Sequence, residues 1–378
     1  FITVLFGRYN FLSVHNSLIK VNRRRDMEMN IYHSIHTMTL QRKILLEEVS
    51  SYRSLLYGLS DRYGTGSYRK SENEYYFFMY APQGVMISLR AARNCGFIKL
   101  TINLNSLLYM EIQRVALFSP CRDYMRTLDC NLRDILRDAQ LGAPETFMFA
   151  RVDFSVNAQT PDPLAYIALA HRGGVPNGFK QTYPRFDNKK RIKPIYYAYS
   201  YDLKHSTEDY AVSLYSKADQ LRDDYNAQFT DYQDAQGMLR FEAKYGAAML
   251  QKYFGITNLN YSPELLHRFL QESPCILCKA MQDCFPAGTY YSLAAVQEQL
   301  AQAGKSVQRK RLGTWIAQTS RMGSACKARR ALCAELSGSQ YDALMKYQRA
   351  SGINPVTIGR KWKQRALPSL QSVFGFDE

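Results

Sequence analysis

No stretch of this chain approaches the roughly 20 consecutive apolar residues that a membrane span requires. Phe1 to Phe6 is apolar apart from Thr3, but Arg8 follows almost at once. Arg23, Arg24 and Arg25 lie after that apolar part, the reverse of a secretory leader, so the sequence reads as that of a soluble protein. It opens on Phe1 and not on a methionine, which points to a fragment or to a start nearer Met27 or Met29. Finger-type cysteine spacing is also missing. Cys275, Cys278 and Cys284 begin a zinc-like pattern, but no second Cys or His pair follows. The eight cysteines are expected as reduced thiols in a cytoplasmic compartment. Acidic residues are scarce, 33 against 49 Lys and Arg, and the resulting net charge of +16 points to a polyanionic partner, nucleic acid above all. The 28 tyrosines and 19 phenylalanines among those charges suit a surface that stacks bases as well as binding phosphates.

The 378 residues leave room for two or three domains. Residues 1–70 carry no legible role. Within them Met38 to Tyr57 reads as a helix, with Leu40, Ile44, Leu45, Val49 and Leu55 at helix-like spacing. Tyr75 to Tyr80 and Val85 to Leu89 read as a hairpin across Pro82-Gln83-Gly84, with Phe97 to Leu104 as a third strand. Met125 to Leu141 reads as a helix, and Gly173 to Pro194 as an exposed loop. After Gly255 the pattern turns helical. Ser292 suits an N-cap, and Ser339 with Asp342 resembles a capping box ahead of Tyr341 to Ala350. Strands, helix, strands and then helices predict an α+β fold with an antiparallel sheet. The boundaries drawn are 1–70, 71–255 for the chemistry, and 256–378 for a basic helical region. In that last region Arg329, Arg330, Lys361 and Lys363 are the chosen duplex-DNA contacts.

Three segments between Arg151 and Lys244 alternate apolar residues with residues able to handle a phosphodiester. A strand's side chains alternate faces, so Val152, Phe154 and Val156, Val212 and Leu214, and Phe241 and Ala243 form buried rows. The presented rows are Arg151 with Asp153, then Ser213, Tyr215 and Lys217, then Arg240, Glu242 and Lys244. If the strands share a sheet, one face carries two carboxylates, several cations and a tyrosine. That set suits metal-assisted transfer of a DNA phosphate to a tyrosine hydroxyl. Asp153 and Glu242 are oxygen ligands suited to Mg2+ or Mn2+. Lys217, expected two residues along the same strand face, would lower the Tyr215 pKa or stabilise the attacking phenolate. His205, in the loop ahead of the tyrosine strand, is a third candidate ligand, and Arg151, Arg240 and Lys244 are candidate DNA contacts.

These residues resemble rolling-circle replication initiators of the filamentous-phage gene II protein type. The resemblance rests on Phe149-Ala150-Arg151-Val152-Asp153, on Leu214-Tyr215-Ser216-Lys217 ahead of Gln220-Leu221, and on Leu239-Arg240-Phe241-Glu242-Ala243-Lys244 leading to Lys252-Tyr253-Phe254-Gly255. Ala350-Ser351-Gly352-Ile353 extends it downstream, to cover roughly residues 95–355. Plasmid initiators of the Rep-trans type show a similar Arg-x-Asp, Tyr-x-Lys, Arg-x-Glu succession. The resemblance implies a Rep nuclease-like core and a nucleophilic Tyr215 assisted by Lys217. It further implies a 5′-phosphotyrosine intermediate at origin DNA, met as duplex and as single strand, with host helicase and polymerase as partners in a bacterial cytoplasm. Many such initiators carry a His-hydrophobic-His metal motif, which this chain lacks. His33-Ser34-Ile35-His36 is its nearest approach, and that spacing does not set both rings on one strand face. The competing reading is a noncatalytic origin-binding accessory or repressor protein.

Overall fold

His33–Ile44 forms a twelve-residue strand, β1, where a helix was expected from Met38 onward. Met38, Leu40 and Ile44 are spaced by even numbers and so satisfy strand alternation as well as a helical stripe. The β-branched Ile35, Thr37 and Thr39 between and before them favour the strand. The expected helix exists only as its second half, α1 (Glu48–Arg62). The computed structural model describes residues 33–119, 121–182, 198–225, 231–302, 306–359 and 362–376, all within one unit, Ile31–Glu378.

Strand β2 (Ser67–Ser71) was not expected, while the expected hairpin is present after it as β3 (Glu74–Phe77) and β4 (Val85–Ala91) and the third strand as β5 (Gly96–Asn103). Helices α2 (Leu104–Tyr109) and α3 (Arg122–Asp138) lead to β6 (Met148–Gln159), and α4 (Pro163–Gly173) follows. The segment expected as an open loop thus begins as the end of a helix and contains an edge strand, β7 (Phe179–Thr182). Next come β8 (Ser200–His205), β9 (Tyr210–Ser216), α5 (Lys217–Tyr225), α6 (Asp231–Asp234) and β10 (Met238–Gly246). The described strands of this part form one ten-stranded antiparallel sheet in the order β2-β3-β4-β5-β1-β6-β10-β9-β8-β7.

One face of this sheet is apolar. Val152, Phe154 and Val156 of β6, Val212 and Leu214 of β9, and Phe241, Ala243 and Tyr245 of β10 are buried there. They pack with α4, α7 (Ala247–Phe254) and the long α8 (Pro263–Cys284). Ser262 caps α8 by accepting from Leu265 N at 3.1 Å, Pro263 suits its first turn, and Leu266, Phe269, Leu270, Ile276, Leu277 and Met281 make its buried stripe. The chain returns to this layer near its end, where Phe374 packs against Phe241 and its carbonyl accepts from His33 Nε2 at 3.3 Å.

Two of the boundaries drawn from sequence are therefore corrected. Residues 33–70 are not a separate segment, because β1 lies between β5 and β6 in the middle of the sheet. Residue 255 does not end the sheet's core, because α8 supplies its cover. The helices beyond α8 are α9 (Leu293–Gln302), α10 (Val307–Met322), α11 (Ala325–Glu335), α12 (Gly338–Ser351) and α13 (Leu370–Val373). Helices α9 to α12 build a second core around Leu312, Trp315, Ile316, Ala328, Leu332 and Leu344. Ser292 caps α9 as expected, accepting from Ala295 N at 3.3 Å. The capping box of α12 is Ser337 with Gln340, two residues ahead of the expected pair.

A chain beginning at residue 71, the boundary suggested by sequence, loses β1 and leaves the β5 and β6 edges unpaired. We expect it to lack a cooperative urea transition by circular dichroism. A cooperative transition at the midpoint of the full chain would show that β1 is dispensable.

Candidate active site

Register settles what the sequence left conditional. Glu242 pairs with Ser213 on one side and Ser155 on the other, Arg240 with Tyr215 and Asn157, and Lys244 with Ala211 and Asp153. Since period two is kept on all three strands, Arg151, Asp153, Tyr215, Arg240, Glu242 and Lys244 share the face opposite the apolar one. Asp202 on β8 pairs with Ser213 and joins the same face.

Tyr215 is buried, and its hydroxyl donates to Glu242 Oε1 at 2.7 Å. Burial first, and then the Glu242 charge, push its pKa well above the ordinary value, with Arg240 acting in the opposite direction. Burial also works to raise Glu242, but Lys244, His36 and Arg240 outweigh it, helped by the Tyr215 hydroxyl, and hold this carboxyl at about 2. Lys244 Nζ lies 3.3 Å from Glu242 Oε2 and donates to Ser213 Oγ at 3.0 Å. Asp153 faces Arg151, with Nη2 donating to Oδ2 at 3.0 Å and Nε 2.8 Å from Oδ1. Here burial wins, and Asp153 titrates above its ordinary value despite Arg151 and Lys244.

Several sequence assignments change. Lys217 does not continue the β9 face. Ser216 ends that strand and caps α5, with Asp219 N donating to Ser216 Oγ at 3.4 Å, so Lys217 is the first helical residue and its Nζ donates to Gln220 Oε1 at 2.8 Å. The signal was legible: Ser216 to Asp219 has the spacing of a capping box. His205 belongs to the wrong face for Asp153 and Glu242. It follows Leu203 by two residues, meets Phe179 edge-on and stacks on Tyr210, and its Nδ1 accepts from Glu208 N at 3.1 Å. Arg240 is wholly buried, donating from Nε to Asn157 Oδ1 at 2.7 Å and from Nη2 to the Val115 carbonyl. It therefore offers no solvent face to a DNA phosphate. Its Nη1 has no acceptor among the described residues.

The residue that sequence reading passed over is His36. β1 slips register between Ile35 and Thr37, a bulge that leaves His36 opposite no single partner. His33 turns to the apolar side against Phe376, as its spacing predicts, while His36 comes under the charges of Arg240, Glu242 and Lys217. Burial, ahead of those charges, holds its imidazole well below the ordinary value and so neutral at pH 7. No periodic signal marks a bulge, and so none marked this ring.

Asp153 and Glu242 share the face on which the sequence placed the Mg2+ or Mn2+ ligands. Among the described residues no three of His, Cys, Asp and Glu converge where one cation could bind, and the charge facing both carboxylates is the Lys244 ammonium. Cys275, Cys278 and Cys284 lie along α8 as free thiols. Of the chosen duplex contacts, Arg330 and Lys363 are exposed and Arg329 is half-buried, and Arg330 Nη2 donates to Val175 O at 3.2 Å. Lys361 lies outside the described residues. No described helix is long and apolar enough to cross a membrane.

No family model and no curated protein matches the chain. Among solved structures, it is similar to the rolling circle replication initiator protein from Geobacillus stearothermophilus at 9% identity and a TM-score of 0.34, over 68% of this chain and 86% of that one. So slight a likeness decides neither the fold nor the activity.

The signs of the two carboxyl shifts give a test. Glu242 falls from an ordinary 4.5 to about 2, so its contribution to stability is complete above 4.5 and is lost as the pH drops towards 2. Asp153 is shifted upward, so acid relieves a cost there and removes no stability. Urea midpoints between pH 7 and pH 3 are expected to show Glu242→Gln below the wild type at pH 7, with the gap closing on acidification. Asp153→Asn should show no such closing gap.

Proposed function

We propose that this chain is a rolling-circle replication initiator that nicks one DNA strand through Tyr215 and rejoins it. The observation that carries the reading is the antiparallel register of β9, β10 and β6, which joins three separate sequence segments into one polar face. The Arg-x-Asp, Tyr-x-Lys and Arg-x-Glu succession in the sequence supports the same reading.

In this proposal the Tyr215 Oη attacks a phosphodiester and the 3′ oxygen departs, leaving the 5′-phosphate on the tyrosine. The ester conserves the energy of the broken bond, so attack by a free 3′-hydroxyl reseals the strand without ATP. Tyr215 is hydrogen-bonded and its proton tightly held, so the reaction begins only when a phosphate reaches the hydroxyl beside Glu242. Arg151, whose side chain is 43% exposed, and Lys244, at 30%, are the cations at the mouth of this face that can draw DNA in. Origin DNA is the proposed partner, as duplex and as single strand, with helicase and polymerase acting after the nick.

The test uses a random-sequence single-stranded oligonucleotide pool labelled at the 3′ end, with magnesium present. A covalent 5′ adduct keeps that label on the protein through denaturing electrophoresis. Tyr215→Phe removes one oxygen and is expected to abolish the adduct while leaving filter-bound DNA within about twofold of the wild type. An undiminished adduct in Tyr215→Phe would exclude Tyr215 as the nucleophile.

A second reading, a noncatalytic origin-binding accessory or repressor protein, draws on the ion pairs of Arg151 with Asp153 and Lys244 with Glu242. On that reading the polar face is ordinary ion pairing between neighbours two residues apart along β6 and along β10. No adduct would form under any condition.

Duplex recognition by the helices after α8 is the remaining part of the proposal. Each cation that neutralises a phosphate adds about 0.9 to the slope of log affinity against log salt. Replacing Arg329, Arg330 and Lys363 together by alanine should flatten that slope by about two to three units. Adduct yield from single-stranded oligonucleotides should change little. An unchanged slope would move recognition elsewhere on the chain.

A further inference from the structure

We infer that the Lys244 ammonium supplies, in place of a divalent cation, the positive charge that the scissile phosphate meets. This inference rests on the nicking reading and concerns how that same face works.

The carboxylates of Glu242, Asp153 and Asp202 come from three different strands and all act on Lys244. Among the described residues these oxygens do not converge as the shell of a divalent metal would, and the ammonium balances their charge. Lys244 reaches them because of its neighbours. Its partner on β9 is Ala211, too small to block it, and its partner on β6 is Asp153 itself. The ammonium donates to Ser213 Oγ at 3.0 Å and lies 3.3 Å from Glu242 Oε2. With three protons to donate, it keeps capacity for a nonbridging phosphate oxygen. Glu242 touches both groups, accepting from the Tyr215 hydroxyl through Oε1 while Oε2 faces the ammonium. One carboxylate thus sets the nucleophile and the cation side by side.

The reaction balances without a metal. The Tyr215 Oη–P bond forms and the P–O3′ bond breaks. As the phenol oxygen bonds to phosphorus its proton passes to Glu242 and on to water, and the departing 3′ oxygen takes one from water. No atom changes oxidation state. Lys244 neutralises charge on the phosphate throughout, as a donor preorganised by Glu242 and Ser213.

The test compares adduct formation from the 3′-labelled random pool in excess chelator and in magnesium, for wild type, Lys244→Arg and Lys244→Met. Wild type should react within about twofold under the two conditions. Lys244→Met, which keeps the shape and removes the charge, should fall by about a hundredfold in chelator, and Lys244→Arg should retain more. The second readout is the free Mn2+ signal in electron paramagnetic resonance. Wild type and Lys244→Met should both leave it unchanged, because among the described residues no three carboxylate, imidazole or thiol groups converge on one cation. A wild-type adduct that appears only with metal, or stoichiometric Mn2+ binding by wild type, overturns the inference and leaves the nicking reading intact. So does full activity of Lys244→Met in chelator. No adduct under either condition overturns the nicking reading, and this inference with it.

Discussion

A row of charged side chains can stay buried on one face of β6, β9 and β10 because the other face is fixed against helices. The alternation of a strand leaves no freedom. Once Val152, Phe154, Phe241 and Ala243 are committed to α8, Asp153 and Glu242 must face the other way. A one-residue slip would place carboxylates in the apolar layer, where desolvating an ionised group costs several kcal/mol. The apolar packing is therefore what holds the charges in register. The charges in turn are tolerated only as a set. Removing one member leaves another buried and uncompensated, so each substitution in this cluster is read both as lost chemistry and as a freed partner.

The same packing explains what was legible. The alternating rows around Asp153, Glu242 and Tyr215 were read from residue types, and so was their shared face, because period two survives on all three strands. β1 was misread because an even spacing of Met38, Leu40 and Ile44 fits two periodicities at once. Lys217 was carried one residue past the strand's end, although Ser216 and Asp219 marked the turn into a helix. His205 was placed by its nearness in sequence to Tyr215, whereas the face it joins is set by parity with Leu203. His36 depends on a bulge, which shifts parity for one residue and leaves no trace in composition.

The cations divide in a way that charge counting does not reveal. The excess of Lys and Arg suggested a surface for polyanions, yet Arg240 is internal, and its guanidinium acts on Tyr215 and Glu242 from the same face of the sheet. Arg365 is bound to Glu298, and Arg309 to the end of α9 through the Leu300 carbonyl. Arg151 and Lys244 stand between these extremes, each anchored by a carboxylate and each reachable from solvent. A cation held in this way loses less side-chain entropy when a phosphate arrives, which favours tight, well-placed contacts over many loose ones.

The hydrogen bond from His33 to the Phe374 carbonyl joins residues 341 positions apart, and β1 itself lies at the centre of the sheet. Non-local closure of this kind slows folding. It also means that a chain still emerging from the ribosome cannot seal its apolar layer until α13 has been made. During that interval the apolar layer is exposed to other chains. Production of the protein is consequently expected to be limited less by the stability of the finished fold than by how long this layer stays exposed, and slower synthesis at low temperature, with chaperones in excess, should raise the soluble yield.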